Sequence, residues 1–196
     1  LWIGRIEEHG APAWAAVTVS ADGDKIGRIE SVIRRKEYLG PYKEPVTAPS
    51  FAPLSTAQRT SRVDMLAAVD RFYLAIAAEN GEAPADLAED CKWAVNGLEM
   101  SACEVPFSNR LLQGLEQVRD RKVIAVDEAR GLVAISAYED FTAQQQEFTD
   151  AQGNSYEDTM PFPRTLQVVE LFRIVNGKIE RIEGFTSELP YGMGPR

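Results

Sequence analysis

The chain has 196 residues, 44% hydrophobic and 26% charged, enough to bury the core of one or two globular domains. Its net charge of -9 argues against a nucleic-acid partner, which needs a Lys/Arg footprint on phosphates, and its apolar runs fall far short of the roughly 20 residues that cross a bilayer. Two cysteines and a single histidine, His9, cannot assemble a Cys/His zinc cluster, so no metal and no cofactor is expected.

In chain order, residues 1–38 alternate apolar and polar positions and are punctuated by HGAP and ADGD, which predicts three antiparallel strands. His9 falls in the first of these turns, away from either cysteine. The chain starts at Leu1 rather than Met, which leaves export open. Residues 39–60 carry four of the 11 prolines and no period, and are read as a linker marking a domain boundary. Ser61 and Asp64 fit a capping box for a helix on which Leu66, Val69, Phe72, Tyr73 and Ile76 share a face, with Gly81 as its stop. A short second helix is expected over APADLAED (83–90), a strand over CKWAVNGLEM (91–100) and a third helix over PFSNRLLQGLEQVRD (106–120). Cys91 and Cys103 fit either a disulfide or two buried thiols. The strands KVIAVDEARG and LVAISAYEDF follow, then a polar segment over 142–163 with the length of a lid or mobile loop, then a hairpin over 164–186. A domain over 61–190 and a tail over 191–196 complete the division.

DKIGRIE at 24–30 returns as GKIERIE at 177–183, and both follow an apolar strand and a tight Asp/Asn-Gly turn. A fixed repeat of this kind marks a duplicated supersecondary unit.

The order helix, helix, strand, helix, then strands closing in an NGKI hairpin resembles the α+β cone of the nuclear transport factor 2-like (NTF2-like) superfamily, which includes SnoaL-like proteins and ketosteroid isomerase. FYLAIAAENG, LAEDCKWAVNG and VVELFRIVNGKIERIEGF carry the resemblance over about 61–190. The whole chain is similar to tandem proteins of that superfamily whose second copy ends in PYGM, here within ELPYGMG at 188–194. The resemblance implies a curved antiparallel sheet wrapped around a long helix, preceded by a three-stranded remnant of a second such unit. Such a remnant is marginal alone and is expected to dock on the second domain or on another subunit.

Period-2 reading of 164–174 places Leu166, Val168, Glu170, Phe172 and Ile174 on one face and Gln167, Val169, Leu171 and Arg173 on the other, with Arg173 marking the wetter face. A carboxyl at Glu170 among apolar neighbours is expected to have a raised pKa and to serve as a proton donor, or else to be satisfied by Arg119 or Arg121. The resemblance puts Tyr73 at a helix-borne tyrosine donor and Glu170 at an oxyanion-hole acid. The family's catalytic base has no counterpart, since the matching strand end offers Val95 and Asn96. Glu170, Tyr73 and Asn96 form the expected catalytic set, with Phe72, Val95, Phe172, Ile174, Ile182 and Thr186 as the ligand-contacting set. Trp2, Trp14 and Trp93 read as packing residues, RDRK (119–122) as a solvated helix end, and Glu139 and Asp140, at a strand end, as a charged rim or else a ligand site.

The function expected is cofactor-independent dehydration, isomerisation, cyclisation or retro-aldol cleavage of a largely apolar alcohol or carbonyl compound. The alternative is a non-catalytic ligand-binding or oligomerisation module. Partners are a small-molecule ligand and a second copy of the chain, with no nucleic acid and no membrane.

Overall fold

A computed structural model describes residues 1–35, 51–78, 81–96, 98–108, 112, 114–149, 153–160 and 162–194. Most of the expected linker over 39–60 therefore lies outside the described residues. Three strands open the chain: β1 (Trp2–Glu8), β2 (Ala11–Asp22) and β3 (Lys25–Arg35). After a 3-10 turn over Thr56–Gln58 comes helix α1 (Arg62–Ala78). The Ser61 hydroxyl donates to Asp64 at 2.6 Å and accepts from its backbone N–H at 3.2 Å, so the expected cap is built.

The remainder is β4 (Leu87–Val95), β5 (Leu98–Ala102), a single helical turn α2 (Val105–Ser108), β6 (Leu115–Asp127), β7 (Leu132–Phe141), the hairpin β8 (Gln144–Thr149) and β9 (Ser155–Met160), and finally β10 (Arg164–Val175) and β11 (Lys178–Pro190). Six strands form one sheet in the order β5-β4-β11-β10-β7-β6. The pairing of β11 with β4 is parallel, which corrects the all-antiparallel expectation.

Two expected helices are largely replaced. APADLAED holds no helix: its second half, LAED, opens β4, which continues through the expected strand at CKWAV, pairs with β11 and sends Cys91 and Trp93 into the core, a pairing that overrides the local helical character of LAED. Of the third expected helix, one turn is described, and its second half from Leu115 is strand. Gly114 takes a positive φ of 81°, and the β-branched stretch that follows pairs with β7 along the whole of β6. RDRK therefore lies within a strand. The polar segment over 142–163 contains the β8-β9 hairpin.

α1 lays Met65, Val69, Phe72, Tyr73 and Ile76 on the inner face of the sheet, where Phe172, Ile174, Ile179 and Ile182 meet them with no exposed surface. Phe72 makes edge-on ring contacts with Trp93, Phe107 and Phe172 at centroid distances of 5.6, 5.8 and 5.2 Å. Cys91 and Cys103 are joined as a disulfide across the β4-β5 hairpin, with Cα atoms 5.3 Å apart. Gly131 is required where the β6-β7 turn passes under β10, because its φ is 61° and a Cβ there would collide with the Ile174 carbonyl.

β1, β2 and β3 form a separate sheet that packs on the outer face of the larger one. Ala16 and Val32 close a small apolar layer with Val169 and Phe185, and Ser187 donates to the Ile33 carbonyl at 3.2 Å. Of the expected packing tryptophans, Trp2 is half exposed, and the side chain of Trp14 lies outside the description.

Candidate functional site

β10 carries the site because its inner face alternates, as the sequence requires, through Val168, Glu170, Phe172 and Ile174. Glu170 is only 4% exposed on that face, among groups that offer no water. One turn of α1 places Tyr73 opposite, and its hydroxyl donates a hydrogen bond to Glu170 Oε2. Phe172 closes one side, its ring edge-on to Tyr73 at 6.1 Å.

Neither arginine weighed as a partner reaches Glu170. Arg119 binds Asp140, with Nε 2.8 Å from Oδ2, and Arg121 binds Asp70 at 2.5 Å while stacking over the Tyr73 ring at 4.8 Å. The guanidinium of Arg121 thus roofs the phenol without neutralising the acid beneath it.

Sequence reasoning left the second carboxyl between a charged rim and a ligand site and did not separate it from Asp140. Glu139 and Asp140 are both buried rather than forming a rim. Being adjacent on a strand, they face opposite ways. Asp140 points outward and accepts hydrogen bonds from Arg119, Thr165 and Gln117. Desolvation works to raise its pKa, but these partners outweigh it and hold the group below the ordinary carboxylate range. Glu139 points inward beside Ala137 and Phe141, and no described side chain donates to its carboxyl. Burial, reinforced by the negative potential of Glu170, pushes Glu139 up to about 8. Glu170 rises to about 7 through burial, with the Tyr73 hydrogen bond opposing the rise. Tyr73 itself is driven well above the usual phenol value by burial and by Glu170, so it remains a donor. The alternation of LVAISAYEDF held the signal for Glu139, whose position two residues before Phe141 marks the inner face.

Asn96 is placed differently. It sits at the turn closing β4 with a φ of 51°, and its amide is engaged at both ends: Nδ2 donates to Thr186 Oγ1 at 3.0 Å, and Oδ1 accepts from the Thr186 N–H at 2.9 Å. Asn96 and Thr186 thus form one hydrogen-bonded unit, and Tyr73 and Glu170 another. Phe72, Phe172, Ile174 and Ile182 lie in the core around the acid, with Val95 packed at its margin. Among the described residues no cluster of His, Cys, Asp and Glu is arranged to hold a metal ion. None of the described helices is long and apolar enough to cross a membrane. Chemically, the arrangement is a buried carboxyl pair that retains protons near neutrality, with a phenol donor oriented on one member.

A family model described as Domain of unknown function (DUF8021) matches residues 58–186. No curated protein matches the chain. Among solved structures, the chain is similar to PrhC from Penicillium brasilianum, at 16% identity and a TM-score of 0.46, covering 65% of this chain and 83% of that one. It is also similar to a protein of unknown function with a cystatin-like fold from Methylobium petroleophilum, at 13% identity and a TM-score of 0.43, covering 70% and 85%. An LEH-like epoxide hydrolase from M. tuberculosis is similar at 14% identity and a TM-score of 0.42, covering 64% and 84%.

Proposed function

The chain belongs to the family described as Domain of unknown function (DUF8021), and on that premise we propose that it is a cofactor-independent enzyme of the SnoaL-like kind. Its substrate class is a largely apolar alcohol or carbonyl compound. Its reaction is a dehydration, isomerisation, cyclisation or retro-aldol cleavage, each of which moves protons between oxygen and carbon or between two carbons: onto oxygen and off carbon in dehydration and aldol cyclisation, off the hydroxyl and onto carbon in retro-aldol cleavage, and from one carbon to another through an enol in isomerisation. Glu170 delivers the proton, Tyr73 orients Glu170 and shares its charge, and Glu139 supplies the second carboxyl that the strand end at Val95 and Asn96 lacks. Asn96 acts with Thr186 at the margin of the site, and Phe72, Phe172, Ile174, Ile182 and Val95 hold the apolar body of the substrate.

The single observation that carries this reading is the Tyr73 hydroxyl bonded to a buried Glu170 that no arginine neutralises. A carboxyl kept in such a place costs stability, and a core needing only shape would be better served by a Leu. In the same reading, residues 1–38 are the closing strands of a second cone, and the chain assembles with its own copies. The test is turnover of a panel of small β-hydroxy ketones, followed by enone absorbance. Glu170→Gln is expected to lower the rate by roughly 10², in line with a general acid. Wild-type turnover by that variant would refute the assignment.

A further inference from the structure

Three inward positions lie in a row across β10, β11 and β4. Glu170 pairs with Gly184, and Gly184 pairs with Val95, next but one to Trp93. Trp93 is 7% exposed, and its indole N–H finds no acceptor among the described residues. An indole nitrogen can only donate, so a buried one without an acceptor is a standing cost. The residue between this donor and the acid has no side chain. A Cβ added at Gly184 would meet Trp93 Nε1 at 3.6 Å, Val95 Cγ2 at 3.6 Å and the Ala94 carbonyl at 3.5 Å, all ordinary contacts, so the missing side chain is what leaves the indole nitrogen uncovered on this side. Nothing in the backbone calls for a glycine there, because Gly184 is not among the residues with positive φ.

We propose that this position seats an oxygen atom of the ligand, which accepts one hydrogen bond from Trp93 Nε1 and a second from the protonated Glu170. Trp93 is then a ligand-binding residue rather than a packing residue. The inference rests on Glu170 being the acid of the site, as proposed above, and adds the place and chemistry of the atom it serves. The seat selects a neutral carbonyl or hydroxyl oxygen. A buried anionic oxygen would find no cation to pair with there among the described residues, because Arg121, over the Tyr73 ring, is already held by Asp70.

The test titrates the 15N-labelled full chain with cyclohexanone, and with cyclohexanecarboxylate as the charged control, while following the Trp93 indole N–H signal, identified by its loss in Trp93→Phe. Cyclohexanone is expected to shift that signal saturably downfield and the carboxylate to leave it in place. Gly184→Ala, whose methyl fits without displacing a neighbour, should keep the melting temperature and weaken cyclohexanone binding at least tenfold. An indole signal unmoved by cyclohexanone, or equal affinity in Gly184→Ala, overturns the seat. If Gly184→Ala binds equally while Glu170→Gln still loses turnover, only the seat fails. If Gly184→Ala loses binding while Glu170→Gln keeps wild-type turnover, the Trp93 half of the seat stands, and the acid assignment fails together with the hydrogen bond it lends the seat.

Discussion

The hairpins β2-β3 and β10-β11 are built alike to the level of single residues. Each turns through two residues, between Asp22 and Lys25 or between Val175 and Lys178, and each carries its register shift at the same step, after Ser20 or after Arg173. Val19 therefore faces Ile29 as Phe172 faces Ile182, and Val17 faces Ser31 as Glu170 faces Gly184. The two even pack back to back through equivalent positions, Ala16 and Val32 against Val169 and Phe185. Their other faces have opposite fates. Phe172, Ile179 and Ile182 are fully buried under α1, while their counterparts Val19, Ile26 and Ile29 are 54%, 66% and 61% exposed. The same strand pair thus folds with either face condition, and its inward positions are free to hold Val or Glu. Glu170 is not required by the hairpin, so its presence needs another explanation, which the proposed acid chemistry would supply.

The sharpest way to break this comparison is truncation at matched sites. Phe172→Ala opens a cavity in the aromatic cluster and should cost about 3–5 kcal/mol, whereas Val19→Ala at the equivalent exposed position should cost less than about 0.5 kcal/mol, both read from urea unfolding. Equal costs would mean the first hairpin's face is as deeply covered as the second's. Reducing the Cys91–Cys103 bond, which has no counterpart in the first hairpin's sheet, releases a short loop and should lower stability by about 3 kcal/mol.

The swap of the distinguishing residues comes next in size. Tyr73→Phe removes only the hydroxyl that holds Glu170 and is expected to slow turnover by roughly tenfold to a hundredfold without opening a cavity. Val17→Glu places an acid at the partly buried equivalent in the first hairpin, where its carboxyl can reach water, and should leave both turnover and melting temperature near wild type.

Acid burial also gives the larger domain a pH signature. Glu139 and Glu170 have folded pKa values raised above the usual carboxylate value, so the folded chain binds more protons than the unfolded one between the two. Their contribution is most favourable below about pH 4.5 and is lost as pH rises through about 7 to 8, by up to about 1.4 kcal/mol per pH unit for each proton. Urea midpoints for Glu139→Gln should fall less steeply from pH 5 to pH 8 than those of the wild type. An unchanged slope would place Glu139 in contact with water or a cation.

How far the sequence foretold this depends on how local each signal is. α1 was legible because Ser61, Asp64 and the spacing of Val69, Phe72 and Ile76 all lie within one element. The β10-β11 hairpin was legible because Asn176 and Gly177, both with positive φ, write their own turn. The inward side of Glu170 followed from strict alternation. β6 was not legible, since LEQVRD continues a run of good helix formers and becomes a strand only by pairing with β7. Glu139 and Asp140 could not be separated into a raised and a lowered acid without knowing that Arg119 and Thr165 lie on one face of the sheet only. The Trp93 N–H is orphaned by what surrounds it in space, and no stretch of sequence records that.

The most direct test of the central claim is 13C NMR of the side-chain carboxyls in a chain labelled at glutamate, titrated from pH 4 to pH 9. The account predicts two carboxyls titrating at about pH 7 and about pH 8, the first lost in Glu170→Gln and the second in Glu139→Gln, with Glu139 titrating at lower pH in Glu170→Gln once its neighbour's charge is gone. Glutamates that all titrate below about pH 5.5 would contradict it, since no protonated acid would then exist near neutrality to serve a substrate.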